Sequence, residues 1–120
     1  MAAAKVANVG TTGEIWSVVI ADTATESDEL ATGGMVVWGV LISGAWTTTN
    51  LKFKQGYVSG TRKLVTDGVT ASTDYTVQAT QDQWSPVNPA KGIGATGFVS
   101  IVTTAAQSGG DTLYVLLRYI

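Results

Sequence analysis

Residues 33–57, GGMVVWGVLISGAWTTTNLKFKQGY, hold two strand-like runs joined by a turn-rich segment that carries Trp46. The second run, Leu51 to Val58, alternates. Leu51, Phe53 and Tyr57 fall on one face with Gln55 between them, and Lys52 and Lys54 fall on the other, the period of two expected of a half-buried strand. The first run, Met35 to Ile42, does not alternate. Met35, Val37 and Leu41 make one face apolar and Val36, Trp38, Val40 and Ile42 make the other apolar as well, so this strand asks for cover on both sides.

The same double-sided pattern returns upstream in Glu14 to Thr23, where Ile15 and Val19 lie on one face and Trp16, Val18 and Ile20 on the other. Between the two lies Ala24 to Gly34, whose Glu26, Asp28 and Glu29 before Gly33-Gly34 suit a short edge strand guarded by charge. Downstream, Gly60 to Val65, Tyr75 to Thr80, Gly97 to Thr104 and Thr112 to Ile120 read as strands, with Asp67-Gly68 and Ser108-Gly109-Gly110-Asp111 as turns. Gln81 to Gly97 contains both prolines and reads as a loop pinned by Trp84 and Val87. Residues 1–13 are small, polar and glycine-bearing, and are expected to form an extended N-terminal arm. About eight short strands at intervals near ten residues, with no sustained helical period, predict an all-β antiparallel β-sandwich of jelly-roll type over residues 14–120.

At 120 residues, one core suffices, and folding removes roughly two-thirds of the unfolded surface from water. Only 13% of residues are charged, about half the usual fraction of roughly 25%, so the surface is mostly neutral. The net charge is −2 and the seven Lys and Arg are scattered, which argues against a nucleic-acid partner. With neither Cys nor His, disulfides, thiolate metal sites and every Ser-His or Cys-His catalytic arrangement are excluded. No apolar leader core and no membrane-spanning run is present, so a product without a membrane partner is expected.

Of the nine carboxylates, only Glu26, Asp28 and Glu29 cluster, on an expected edge and not in a cleft; the reading is of a non-enzyme. Asp67, Asp74 and Asp82 lack the spacing of a calcium loop, and no metal or cofactor is expected. The tryptophans are the candidate contact residues. Trp46 suits a plug at one end of the sandwich or an exposed contact. Trp16 and Trp38 lie on faces whose neighbours are also apolar, so that one can enter the core while the other meets a partner. Trp84, beside Pro86 and Pro89, suits a loop anchor or a stacking platform for a sugar ring. Val6 and Val9 give the arm two apolar points with which to lie as an added strand on a neighbour. Self-association is expected, because a lone sandwich covers one face of each double-sided strand.

Residues 30–58 and 97–118 resemble a family of small proteins encoded among the head genes of tailed bacteriophages. In that family a strand L-x-G-I-x-x leads through a small-residue turn to A-W-T and then L-x-F-x-x-S. The matching residues are Trp38-Gly39-Val40-Leu41-Ile42, then Gly44-Ala45-Trp46-Thr47, then Leu51-Lys52-Phe53-Lys54-Gln55. The family's C-terminal pattern is met by Phe98 to Thr103, Gln107 to Gly110 and Leu113 to Arg118, while Ser43 stands where the family often has a proline and Gly56-Tyr57 where a turn would begin. The resemblance implies a virion structural role: a decoration or cement protein made in the host cytoplasm, bound to the major capsid protein on the outer shell, with a trimer favoured. A sugar-binding sandwich of a phage tail or fibre, using Trp84 or Trp46, and a neck or tail-completion subunit are the alternatives.

Overall fold

A computed structural model describes residues 3–43, 46, 50–107 and 110–119. Ten strands occur among them: β1 (Ala4–Val9), β2 (Gly13–Ile20), β3 (Leu30–Ala31), β4 (Val36–Ser43), β5 (Asn50–Val58), β6 (Thr61–Leu64), β7 (Val77–Gln78), β8 (Trp84–Pro86), β9 (Phe98–Thr103) and β10 (Asp111–Arg118). One 3₁₀ turn, Pro89–Lys91, follows β8 and is capped by the Asn88 side chain. Ala45, Thr47 and the Ser108-Gly109 part of the expected turn lie outside the described residues.

The strands form two antiparallel sheets, the first in the order β1-β2-β10-β4-β8 and the second β3-β9-β5-β6, with β7 pairing the beginning of β5. From β2 to β5 each strand crosses to the opposite sheet, and β8, β9 and β10 cross again in the same way. Consequently β10 enters between β2 and β4, and β9 enters between β3 and β5. This interleaving of early and late strands is the jelly roll expected from the strand count, with β1 added outside β2.

β10 alternates without exception: Asp111, Leu113, Val115 and Leu117 are buried and Thr112, Tyr114, Leu116 and Arg118 are partly exposed. Its inward residues meet Val18, Ile20, Val40 and Ile42 of the flanking strands and, across the sandwich, the core that contains Leu51, Phe53, Val99 and Ile101. Phe53 is fully buried, its ring 6.3 Å from that of Tyr75. Gln55, next on the inward side of β5, closes the core's edge by accepting hydrogen bonds from the Gly94 N–H (2.9 Å) and Thr96 Oγ1 (3.3 Å).

Four local expectations are corrected. Residues 4–9 of the supposed arm form β1 and pair with β2 from Ala4 opposite Ser17 to Val9 opposite Gly13; their own weak propensity is overridden by the hairpin. In β4, Leu116 faces Gly39 but Leu117 faces Val37, so Trp38 is an extra, bulged residue. The bulge changes the phase of the strand, and Met35, Val37, Val40 and Ile42 together join the core, which simple alternation forbids. Tyr57 is 84% exposed and does not continue the inward row of Leu51 and Phe53, because the β5–β6 register shifts between Gln55 and Val58. Gly56 sits at that shift: a Cβ there would lie 2.0 Å from the Thr61 carbonyl oxygen. Lastly, Trp84–Pro86 is a strand on the edge of β4, not loop, and Val87 alone of the two expected anchors is buried, donating its N–H to the Trp38 carbonyl at 3.0 Å.

Because Phe53 is completely buried and Lys52 only forms a half-exposed pair with Asp74 at 3.0 Å, the two neighbours should respond very differently to truncation. Phe53→Ala is expected to cost about 3–5 kcal/mol in urea denaturation and Lys52→Ala less than about 1 kcal/mol. A larger loss for the lysine would place the wrong face of β5 in the core.

Candidate interaction face

The outward surfaces of the two sheets differ in kind. On the first sheet, the register aligns two rows that cross all five strands: Ala7, Ile15, Leu116, Gly39 and Pro86 in one, and Ala4, Ser17, Tyr114, Leu41 and Trp84 in the next. None of these ten positions is charged, and only Ser17, Tyr114 and Trp84 bring side-chain polar atoms, two hydroxyls and one indole N–H. The Trp84 ring lies against Gly39, where a Cβ would be 3.5 Å from Cε3. Trp38, pushed outward by the bulge, is 36% exposed and Trp84 46%; the Arg118 guanidinium lies 6.0 Å from the Trp38 ring centroid. Arg118 also donates to Thr12 Oγ1 at 3.2 Å.

The second sheet carries the charge. Glu26 accepts hydrogen bonds from Lys54 (3.0 Å), the Arg62 Nη2 (3.0 Å) and the Ser100 hydroxyl (2.8 Å). Arg62 donates also to Ser100 Oγ (3.1 Å) and pairs with Glu29. Glu29 in turn holds the β5–β6 turn by accepting from Ser59 Oγ (2.6 Å) and the Gly60 N–H (2.7 Å). Partial burial acts to raise the Glu26 pKa, but the bonds from Ser100, Arg62 and Lys54 together outweigh it and hold the carboxyl below its ordinary value. Glu29 is likewise held low, by Ser59 first, then by Gly60 and the Arg62 charge. Glu26 and Glu29 of the acidic cluster expected on an edge are thus one connected network, whose partners Arg62 and Ser100 are too distant in sequence to have been paired with them by spacing, while Asp28 accepts from the Val19 N–H at 3.2 Å.

The six residues singled out from the sequence do not converge. Trp16 packs on the core and donates Nε1 to Glu14 at 2.9 Å, and Trp46 packs on the core from beyond β4. Trp38 and Trp84 lie on the outer face of the first sheet, while Val6 (55% exposed) and Val9 belong to its edge strand. Ile15, Leu41, Tyr114 and Leu116, which complete the face, were missed. Their signal was present in the double-sided strands, but assigning them needed the sheet register. Among the described residues no cavity opens and no three potential metal ligands converge. Asp67 instead accepts from the Val69 and Thr70 N–H groups, and Asp74 pairs with Lys52. No described helix is long and apolar enough to cross a membrane.

At the end of the sandwich, Asp111 is 4% exposed with Oδ2 unpaired, and the Trp46 Nε1 is also buried without a partner. Burial pushes the Asp111 carboxyl above its ordinary range.

No family model matches the chain, and neither does any curated protein sequence. The fold is similar to that of the SPBc2 prophage-derived protein YomS, seen in its crystal structure, with a TM-score of 0.52 and 18% sequence identity over 92% of this chain and 98% of that one.

The carboxylates predict opposite pH responses. Glu26 and Glu29, with folded pKa values below the unfolded ones, contribute stability above about pH 4.3 that is lost as the pH falls through their folded values. Asp111, with a folded pKa above the unfolded one, contributes most below about pH 3.9 and loses that contribution as the pH rises through its folded value. In urea melts, Glu29→Gln should therefore flatten the acid-side loss of stability. Asp111→Asn should raise the midpoint at about pH 7 and leave it nearly unchanged at about pH 3; an equal effect at both would show that ionisation at Asp111 is not the cause.

Proposed function

We propose that this is a non-catalytic bacteriophage virion protein that decorates the capsid, docking the outer face of its first sheet on the major capsid protein and so stabilising the shell. The observation that carries the reading is the uncharged surface of Ile15, Leu41, Tyr114, Leu116 and Trp84 on a sheet whose opposite number is covered by ion pairs. An apolar surface that crosses five strands is the kind of patch used for protein contacts, and aromatic residues are enriched in such contacts while charge is depleted. The likeness to a prophage-derived protein supports a phage setting, and the resemblance of residues 30–58 and 97–118 to phage head-gene proteins supports the capsid within it. Because a shell presents the same site many times, modest attachment per copy is compatible with a stable coat.

A second reading, a sugar-binding sandwich of a tail or fibre, is favoured by one observation: Trp38 and Trp84 are both exposed on this face, on either side of Gly39. Stacked aromatic platforms suit the apolar faces of sugar rings.

Co-sedimentation with capsids of the encoding phage, prepared without this protein, tests the first reading. Leu41→Lys is expected to weaken attachment about tenfold or more while leaving the fold intact by circular dichroism, and Lys63→Glu on exposed β6 should leave attachment unchanged. Wild-type protein that stays in the supernatant would reject capsid decoration. Retention on a host polysaccharide that is lost in Trp84→Ala would select the second reading.

A further inference from the structure

We infer that two copies of this chain join through the free edge of β1, as antiparallel strands related by a two-fold axis, to make one ten-stranded sheet. The inference rests on the edge and holds whether or not the outer face meets a capsid.

Three of the four sheet edges are guarded. β8 has three residues and ends in Pro86, which has no N–H to donate. β3 has two residues, immediately after Glu29, and β6 carries Arg62 and Lys63 within its four, charges that discourage edge pairing. β1 is different. It is six residues long, AKVANV, exposed from Ala4 to Asn8, and paired along β2 alone. Its single charge is turned back on its own chain: Lys5 Nζ lies 3.9 Å from Glu14 and 3.5 Å from Asn8 Oδ1. Ala4 and Ala7 present no bulk to an approaching strand.

A second β1 is the occupant that fits this edge best. Antiparallel pairing is self-complementary, so the same six residues serve both copies. In full overlap Lys5 stands opposite Asn8 of the second copy, and no like charges face each other. The axis of such a pair is perpendicular to the sheet, which places both outer faces on the same side. The uncharged rows, which already end at Ala4 and Ala7 on β1, then continue from one copy into the next. The bulge at Val6 interrupts the edge once, as edge bulges do, and a seam of about six main-chain hydrogen bonds with little side-chain burial is a weak one, of the order of 100 µM.

Sedimentation of the full chain from about 10 µM to about 1 mM should show a monomer–dimer equilibrium. Over that range, amide hydrogen exchange at residues 4–9 should slow about fivefold or more, while residues 61–64 on the opposite sheet's edge remain unchanged. The double variant Val6→Lys/Ala7→Lys, which adds four charges at the centre of the seam, should weaken dimerisation about tenfold or more, and Val69→Lys, on an exposed loop, should not. A monomer at 1 mM, a trimer, or a dimer without added protection in β1 would overturn the inference. The exchange measurement uses the wild-type chain, so it stands even if the lysine variant fails to fold.

Discussion

The first sheet depends on the ladder that β10 makes simultaneously with β2 and β4. Leu113 faces Val18 and Ile42, Val115 faces Trp16 and Val40, and Leu117 faces Glu14 and Val37. A slip of one residue would turn these three outward and drive Arg118, Tyr114 and Thr112 into the core. Burying the Arg118 charge without a partner is costly enough to forbid that register. Since β10 (Asp111–Arg118) pairs with β2 and β4, whose residues lie about 70 to 100 positions earlier, the pairing is non-local, and topologies dominated by such pairings fold slowly.

The two outward surfaces follow from how a chain with only 13% charged residues distributes them. Lys52, Lys54 and Arg62, with Glu26, Glu29 and Asp74, concentrate on the second sheet, where each of these three cations has an acidic partner. Such half-exposed pairs add little stability, about 0 to 1 kcal/mol each. Their larger effect is on solubility and orientation. They keep the Lys52, Lys54 and Arg62 part of the second sheet wet, while the two uncharged rows of the first sheet are the surface that would gain by leaving water, which gives the docking proposed above a polarity without a deep pocket to impose it.

Much of the fold was legible because its strands are long and their chemistry local. β2, β5, β9 and β10 were visible from β-branched and aromatic runs bounded by turn residues, and the inward pair Leu51 and Phe53 from alternation alone. What failed were places where a non-local partner decides. β1 has Ala, Lys and Asn, which are poor strand formers, and is held as a strand by its pairing with β2, to which the turn at Gly10, with its left-handed backbone, returns the chain. β8 was concealed by its proline, which is tolerated because it occupies an edge. Tyr57 was misplaced by a register shift that no local pattern records. The uncharged face was half legible: the excess apolar surface of β2 and β4 and the exposed candidate Trp84 pointed to it, but Tyr114 and Leu116 could be aligned with them only once the strand order was known.

The bulge at Trp38 connects the core to that face. With regular alternation, β4 would have to choose between Val37 and Val40, one turned inward and the other out to solvent. The extra residue lets both enter the core and brings Met35 and Ile42 with them. It also removes Trp38 from the ladder to β10, so the ring projects outward beside Arg118. The next residue, Gly39, is then opposite Pro86 and small enough for the Trp84 ring to lie against it. Both exposed tryptophans of the face are therefore placed by one irregularity whose first consequence is a filled core. A substitution that regularised β4 would have to bury Trp38 or expose a valine, so selection for packing alone suffices to keep the aromatic face in position.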